Sequence, residues 1–246
     1  MTRLSPRMRR WCVGIAAAIG MAVTGSLGVW QMGRAELKQQ LQSQRESRQS
    51  LPALSSSELA RQVQQDRWND LFDRSVHLEG EWVAEATVFL DNRPMAGRTG
   101  FVVLTPLKLK DADLAVVVQR GWVPRRIDDR TAVPDVPTPE GTVVVSGRLA
   151  PAPSKLYEFD PQASGRIRQN IDIPAYGTEW SLTLLPASVQ EADSGQASDG
   201  LARQWPLVGA DVHKHYGYAF QWFGLCALIM VLYVWFQIIA PRRRSD

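Results

Sequence analysis

Two uncharged apolar runs close to the two ends constrain this chain more than any other feature. Trp11 to Gly33 carries no Asp, Glu, Lys or Arg, and neither does His215 to Pro241. At a rise of ~1.5 Å per residue, each run as a helix is long enough to cross a hydrocarbon core of ~30 Å. The order is then helix, long polar middle, helix. The middle is long enough to form one ordinary domain with its own core.

Charge gives the orientation. The two tails hold Arg3, Arg7, Arg9, Arg10, Arg242, Arg243 and Arg244 against one acid, Asp246. The whole chain carries only +3, so the middle is net negative. Arg-rich short tails stay in the cytoplasm, which puts the middle on the outer side, the periplasm of a bacterial inner membrane. The basic balance thus reports topology. It gives no nucleic-acid surface, because the middle has no basic patch with interleaved aromatics. A cleavable signal peptide is the rival reading of the first run, but 23 uncharged residues exceed an ordinary apolar region of about 7–15. The few residues before Trp11 leave no room for a transit peptide of ordinary length, which again favours a bacterial membrane.

The two cysteines, Cys12 and Cys226, fall inside the runs at different depths and are not expected to pair. The middle therefore has neither a disulfide nor a thiolate metal site.

Past Gly33 the sequence turns polar, and the first helix is expected to leave the membrane for two or three turns until Leu51-Pro52 breaks it. Ser55 and Glu58 have capping-box spacing and start a short helix through Val63. From residue 75 the pattern becomes strand-like. Val76, Leu78 and Gly80 alternate with polar residues; 87–92, 101–109, 114–118 and 142–149 are Val- and Leu-rich runs of strand length. Asn92 to Gly97 and Asp111 to Asp113 read as hairpin connections. Val123 to Gly141, with four prolines, Ala150 to Gly165 and Glu191 to Gly200 read as loops. Strands are expected again at 166–173 and 180–185.

The fold class expected is a membrane protein with two transmembrane α-helices flanking an extracytoplasmic mainly-β domain, an antiparallel barrel or sandwich. The segments are a cytoplasmic tail (1–10), a first span (11–33), a helical linker (34–65), a periplasmic β domain (66–214), a second span (215–240) and a second cytoplasmic tail (241–246).

Enzyme motifs are missing. The sequence has no G-x-S-x-G, no H-E-x-x-H, no P-loop and no dinucleotide fingerprint. Of the three histidines, His77 stands between Val76 and Leu78 and faces solvent. His215 is different, because it lies where the second span meets water. Tyr218 and Trp222 follow at i+3 and i+7, on one helical face. A neutral imidazole there suits axial ligation of haem iron, with aromatics against the porphyrin and arginine near its propionates. The plain alternative is an ordinary interfacial histidine. In the first span Gly14, Ala18, Ala22 and Gly25 form a small-residue stripe that permits close helix approach. Trp30, Gln31 and Arg34 stand at the same boundary as His215. Two helices meeting there make a cleft lined by Trp30, Gln31, His215, Tyr218 and Trp222. Trp122, in Arg120-Gly-Trp-Val-Pro124, reads as a core residue at the end of a strand.

In order, the chain carries Leu27-Gly-Val-Trp-Gln-Met-Gly-Arg34, Val76-His-Leu-Glu-Gly80, Leu90-Asp-Asn-Arg93 and Gly100 to Leu107. Val117-Val-Gln-Arg-Gly-Trp-Val-Pro124, Ser146-Gly-Arg-Leu149 and His215-x-x-Tyr-Ala-x-Gln-Trp-Phe223 follow. In this order and two-span frame the chain resembles the surfeit locus protein 1 family, cytochrome oxidase assembly factors of bacteria and mitochondria. The resemblance implies a non-enzymatic role in maturing haem-copper oxidases, at or near insertion of haem a into subunit I. It implies haem a as the cofactor, with His215 as the axial ligand of its iron. The implied partners are oxidase subunit I and the haem a synthase. The other class left open is a membrane scaffold that stabilises subunit I without binding haem. The chain departs from the family pattern at Val212-His-Lys, where Asn is often found and where His213 is a second histidine, and at Gln119, where Asn is frequent.

Overall fold

The computed structural model describes residues 5–126, 128–129, 132–157, 165–193, 199–205 and 212–240. The chain forms two compact units, one of Met1–Gln44 with Leu207–Asp246 and one of Arg45–Pro206.

The first unit is a helix pair. Helix α1 covers Pro6–Gln49 and continues well past the apolar run. Its partner, labelled α4 because it comes last in the chain, covers Val212–Val234 and ends in a π-helical turn, Trp235–Ile239. Both are long and apolar enough to cross a membrane. Of the expected stripe of small residues, Gly14 lies on the packing seam and Gly25 beside it, but the middle of the stripe does not. Ala18 and Ala22 are exposed, whereas Gly14, Ala17, Met21, Thr24, Gly28, Gln31, Ala35 and Lys38 form a sheltered row, three and four apart in alternation. Helix α4 answers with Val212, His215, Ala219, Trp222, Cys226, Ile229 and Tyr233. This is the 3.5-residue repeat of left-handed packing, and a strict spacing of four drifts off such a seam. The pair is antiparallel. A Cβ on Gly14 would lie 3.3 Å from the Tyr233 hydroxyl, and one on Gly28 would lie 2.6 Å from the Phe223 ring. Only glycine at 28 allows this approach. The Thr24 hydroxyl donates to Gly20 O at 2.7 Å, which satisfies it inside its own helix.

The second unit is built on strands. The chain leaves α1 at Gln49 and enters β1 (Leu54–Ser55) and α2 (Ser56–Gln64). Ser55 caps α2 with the full capping box: its hydroxyl accepts from the Glu58 N–H while the Glu58 carboxylate accepts from the Ser55 N–H. Strands β2 (Ser75–Trp82), β3 (Val88–Met95), β4 (Arg98–Leu109), β5 (Ala115–Pro124) and β6 (Thr142–Ala150) follow. Then come β7 (Ile167–Arg168), α3 (Ile173–Glu179) and β8 (Leu184–Glu191). Strands β2, β6, β8, β5 and β4 pair in that order, and β4 pairs back to β2 through Gly80–Leu109 to Trp82–Leu107. The ring is closed, so these strands leave no long open edge. Leu78, Leu107, Val116, Leu149, Leu185 and Val189 belong to the largest core cluster.

Several elements differ from expectation. The sheet is mixed, because β8 runs parallel to β5, β1 to β2 and β7 to β3. A helix can join β7 to β8 without a hairpin, and α3 takes that place, between the strands expected at 166–173 and 180–185. Its start is signalled by Asp172, whose carboxylate accepts from the Ala175 N–H, and by Pro174 in the first turn. Strand β3 continues through Asn92, where a bulge absorbs one residue, and turns at Ala96-Gly97 with φ of +48° and +76°. That is the two-residue turn matching the twist of a hairpin. Strand β8 continues to Glu191, into the start of an expected loop; residues 194–198 of that loop lie outside the described residues.

Candidate functional site

The first turn of α4 places His215 on the seam, and the same seam on α1 places Gln31. His215 Nδ1 and Gln31 Oε1 are 2.7 Å apart. The amide oxygen only accepts, so Nδ1 carries the proton and donates. In the neutral ring Nε2 is then the nitrogen with the lone pair, the form of imidazole that ligates metals. Two turns further along α1, Gln39 Oε1 accepts from the Tyr216 hydroxyl at 3.1 Å, a second cross-helix bond at this mouth.

The other expected residues divide by face. Trp222 shares the seam with His215 and is half-buried; Tyr218 lies off it and is 52% exposed. Trp30 is exposed, and the Arg34 guanidinium lies over its ring at 5.6 Å. Of the α1 residues named for the cleft, Gln31 bonds to the imidazole, while Trp30 and Arg34 pair with each other. His213 is exposed and off the seam. Among the described residues there is no group of three or more His, Cys, Asp or Glu able to hold a metal ion. At this mouth His215 stands as a histidine backed by an amide.

The β unit holds polar groups that sequence reasoning passed over. Arg120 is the extra residue of a bulge, since Val103 pairs Gly121 while Leu104 pairs Gln119. Its buried guanidinium lies over Trp82 at 4.9 Å and donates to Thr138 Oγ1 and Pro137 O at 2.8 and 2.7 Å. Arg93 donates to Ser154 O and Gln169 O, and its own carbonyl accepts from Trp122 Nε1 at 2.7 Å. Arg148 reaches Asp73 and Gln190. The arginines of three sequence motifs thus pin loops to the ring. Burial lowers the pKa of all three, Arg120 against the opposing pull of Glu191 and Asp199.

Arg203, with its side chain 2% exposed, is held by Glu191 at 3.1 Å and by Asp199. Burial pushes Glu191 above the ordinary carboxylate range despite Arg203 and Arg120. Asp199 moves the other way: burial raises it, but bonds from Arg203 and the Leu201 N–H outweigh that and hold it low. The missed signal was charge itself. Glu191 and Asp199 sit in a stretch read as a loop, and Arg203 follows it, where a lone arginine looks solvated.

A mainly-β domain inserted between two apolar helices, with a histidine at the helix mouth, defines a class of membrane-anchored protein. The sequence profile of the SURF1 family matches residues 18–227, and the chain belongs to that family of cytochrome oxidase assembly factors. A SURF1-like protein of Rickettsia felis is 20% identical over 226 residues, covering 89% of this chain and 94% of the relative.

Proposed function

We propose that this chain binds haem a at the mouth of its helix pair and assists its insertion into oxidase subunit I. The observation that carries the reading is the bond from His215 Nδ1 to Gln31 Oε1 at 2.7 Å. It orients the ring and leaves Nε2 free, as the partners of ligating histidines do. When bound, haem a supplies an iron that takes an imidazole as axial ligand and a ring whose propionates are anionic. His215 would hold the iron, Trp222 and Tyr218 would flank the ring, and Arg34, braced on Trp30, would meet a propionate. In this reading both Arg-rich tails are cytoplasmic, the β domain is periplasmic, and oxidase subunit I and the haem a synthase are the partners.

A visible spectrum tests it. Protein purified from cells that make haem a should be coloured; His215→Ala should lose the band and His213→Ala should keep it. Colourless wild-type protein from cells rich in haem a defeats the carrier reading. Capture of subunit I by wild type and His215→Ala alike would then support a scaffold.

A further inference from the structure

The helix pair has a concave feature at the end opposite His215. A cleft of about 470 Å³ is lined by Arg7, Arg10, Trp11, Gly14 and Ala18 of α1 and by Tyr233 of α4. Its rim is cationic and its floor apolar. Among the described residues neither arginine has an ion-pair partner. Trp11 is 75% exposed, and Ala18, on the outer side of α1, is open as well. Gly14 gives the cleft its depth, since a Cβ there would sit 3.3 Å from the Tyr233 hydroxyl. The sequence adds Arg242, Arg243 and Arg244 just past α4.

We propose that this cleft binds one anionic phospholipid. Its phosphate lies between Arg7 and Arg10, and an acyl chain runs over Gly14 and Ala18 beside Tyr233. A soluble phosphate would meet the arginines but leave the apolar floor uncovered. A neutral lipid would cover the floor but leave the cations unmatched. Only an amphipathic anion matches both, and basic pockets between spans are suited to such headgroups. By touching both helices, the lipid would brace their packing at the end far from His215.

The test uses the full chain in neutral detergent, with phosphatidylglycerol and phosphatidylcholine of identical chains, and counts retained lipid by native mass spectrometry. Wild type should prefer phosphatidylglycerol. Removing both charges in the Arg7→Gln/Arg10→Gln variant should reduce that preference about 30-fold, at about 1 kcal/mol per arginine. Ala18→Trp, which fills the cleft and leaves both arginines, should also release the lipid. His215→Ala should retain it, so failure of the lipid site and failure of the haem reading separate. Equal retention of the two lipids overturns the proposal, as does phosphatidylglycerol held equally by the double variant. Retention by Ala18→Trp overturns it too, by reducing the effect to surface charge. A haem band lost in the double variant but kept in His215→Ala would make the cleft a porphyrin site and overturn it equally.

Discussion

At the scale of single residues, Gln31 gives the helix mouth its chemical direction. An imidazole in neutral form has one donor nitrogen and one acceptor nitrogen, and the Gln31 carbonyl fixes which is which. Under the proposed function Gln31 is a positioning residue. Gln31→Leu should keep the fold and weaken haem binding about 10–100-fold, the range for loss of a ligand's hydrogen-bond partner. The remaining band should shift as the imidazole loses its acceptor. Gln31→Glu, which keeps an acceptor oxygen, should restore most of the affinity. A spectral titration reads all three, and equal affinity in Gln31→Leu and wild type would deny Gln31 this role. Trp30 and Arg34 flank Gln31 on α1 and pair with each other, so their substitution should affect affinity and leave the shape of the band alone.

At the scale of elements, the helix pair depends on small residues at a 3.5-residue spacing. A Cβ on Gly25 would lie 4.0 Å from Cys226 Sγ. Gly25→Cys should therefore cross-link to Cys226 under mild oxidation, read as a faster-running band on a non-reducing gel. Adding Gly28→Leu should abolish that cross-link, because its side chain meets the Phe223 ring and separates the helices. A cross-link that persists would mean another register. The α3 segment carries a parallel lesson. Asp172 and Pro174 are start signals, yet the flanking Ile171, Ile173 and Trp180 read as parts of two strands, 166–173 and 180–185.

At the scale of the whole molecule, buried ion pairs decide how the β unit responds to substitution and acid. Arg203→Leu leaves Glu191 and Asp199 without their cation and should cost about 3–5 kcal/mol. Thermal unfolding of the full chain, followed by tryptophan fluorescence, measures it. Combining Arg203→Leu with Glu191→Gln and Asp199→Asn in one variant should cost less than Arg203→Leu alone, because neither carboxylate is then left buried without its bonded cation. The two acids act oppositely with pH. Asp199 is held low in the folded chain. Its contribution is full above the unfolded aspartate value of ~3.9 and is lost as pH falls through the folded one. Glu191 is raised. Its contribution is present below ~4.3 and is lost as pH rises through the folded value. Asp199→Asn should flatten the acid limb of the stability profile, and Glu191→Gln should remove the opposing slope above it.

The sequence by itself determined what is local. Uncharged runs define the apolar helices, Ser55 with Glu58 sets a helix start, and the alternation of Val76, Leu78 and Gly80 sets the faces of β2. Each rests on interactions within a few residues. It also put Gln31 and His215 at one level, since Gln31 lies near the end of the first run and His215 opens the second. Only the tertiary structure decided which residues meet across elements. It chose the seam through Gly28 over the stripe through Ala18 and Ala22, the parallel seating of β8 on β5, and the bulge that turns Arg120 inward. Those outcomes depend on register between segments far apart in the chain. A shift of one residue in that register costs nothing locally and moves every side chain to another face.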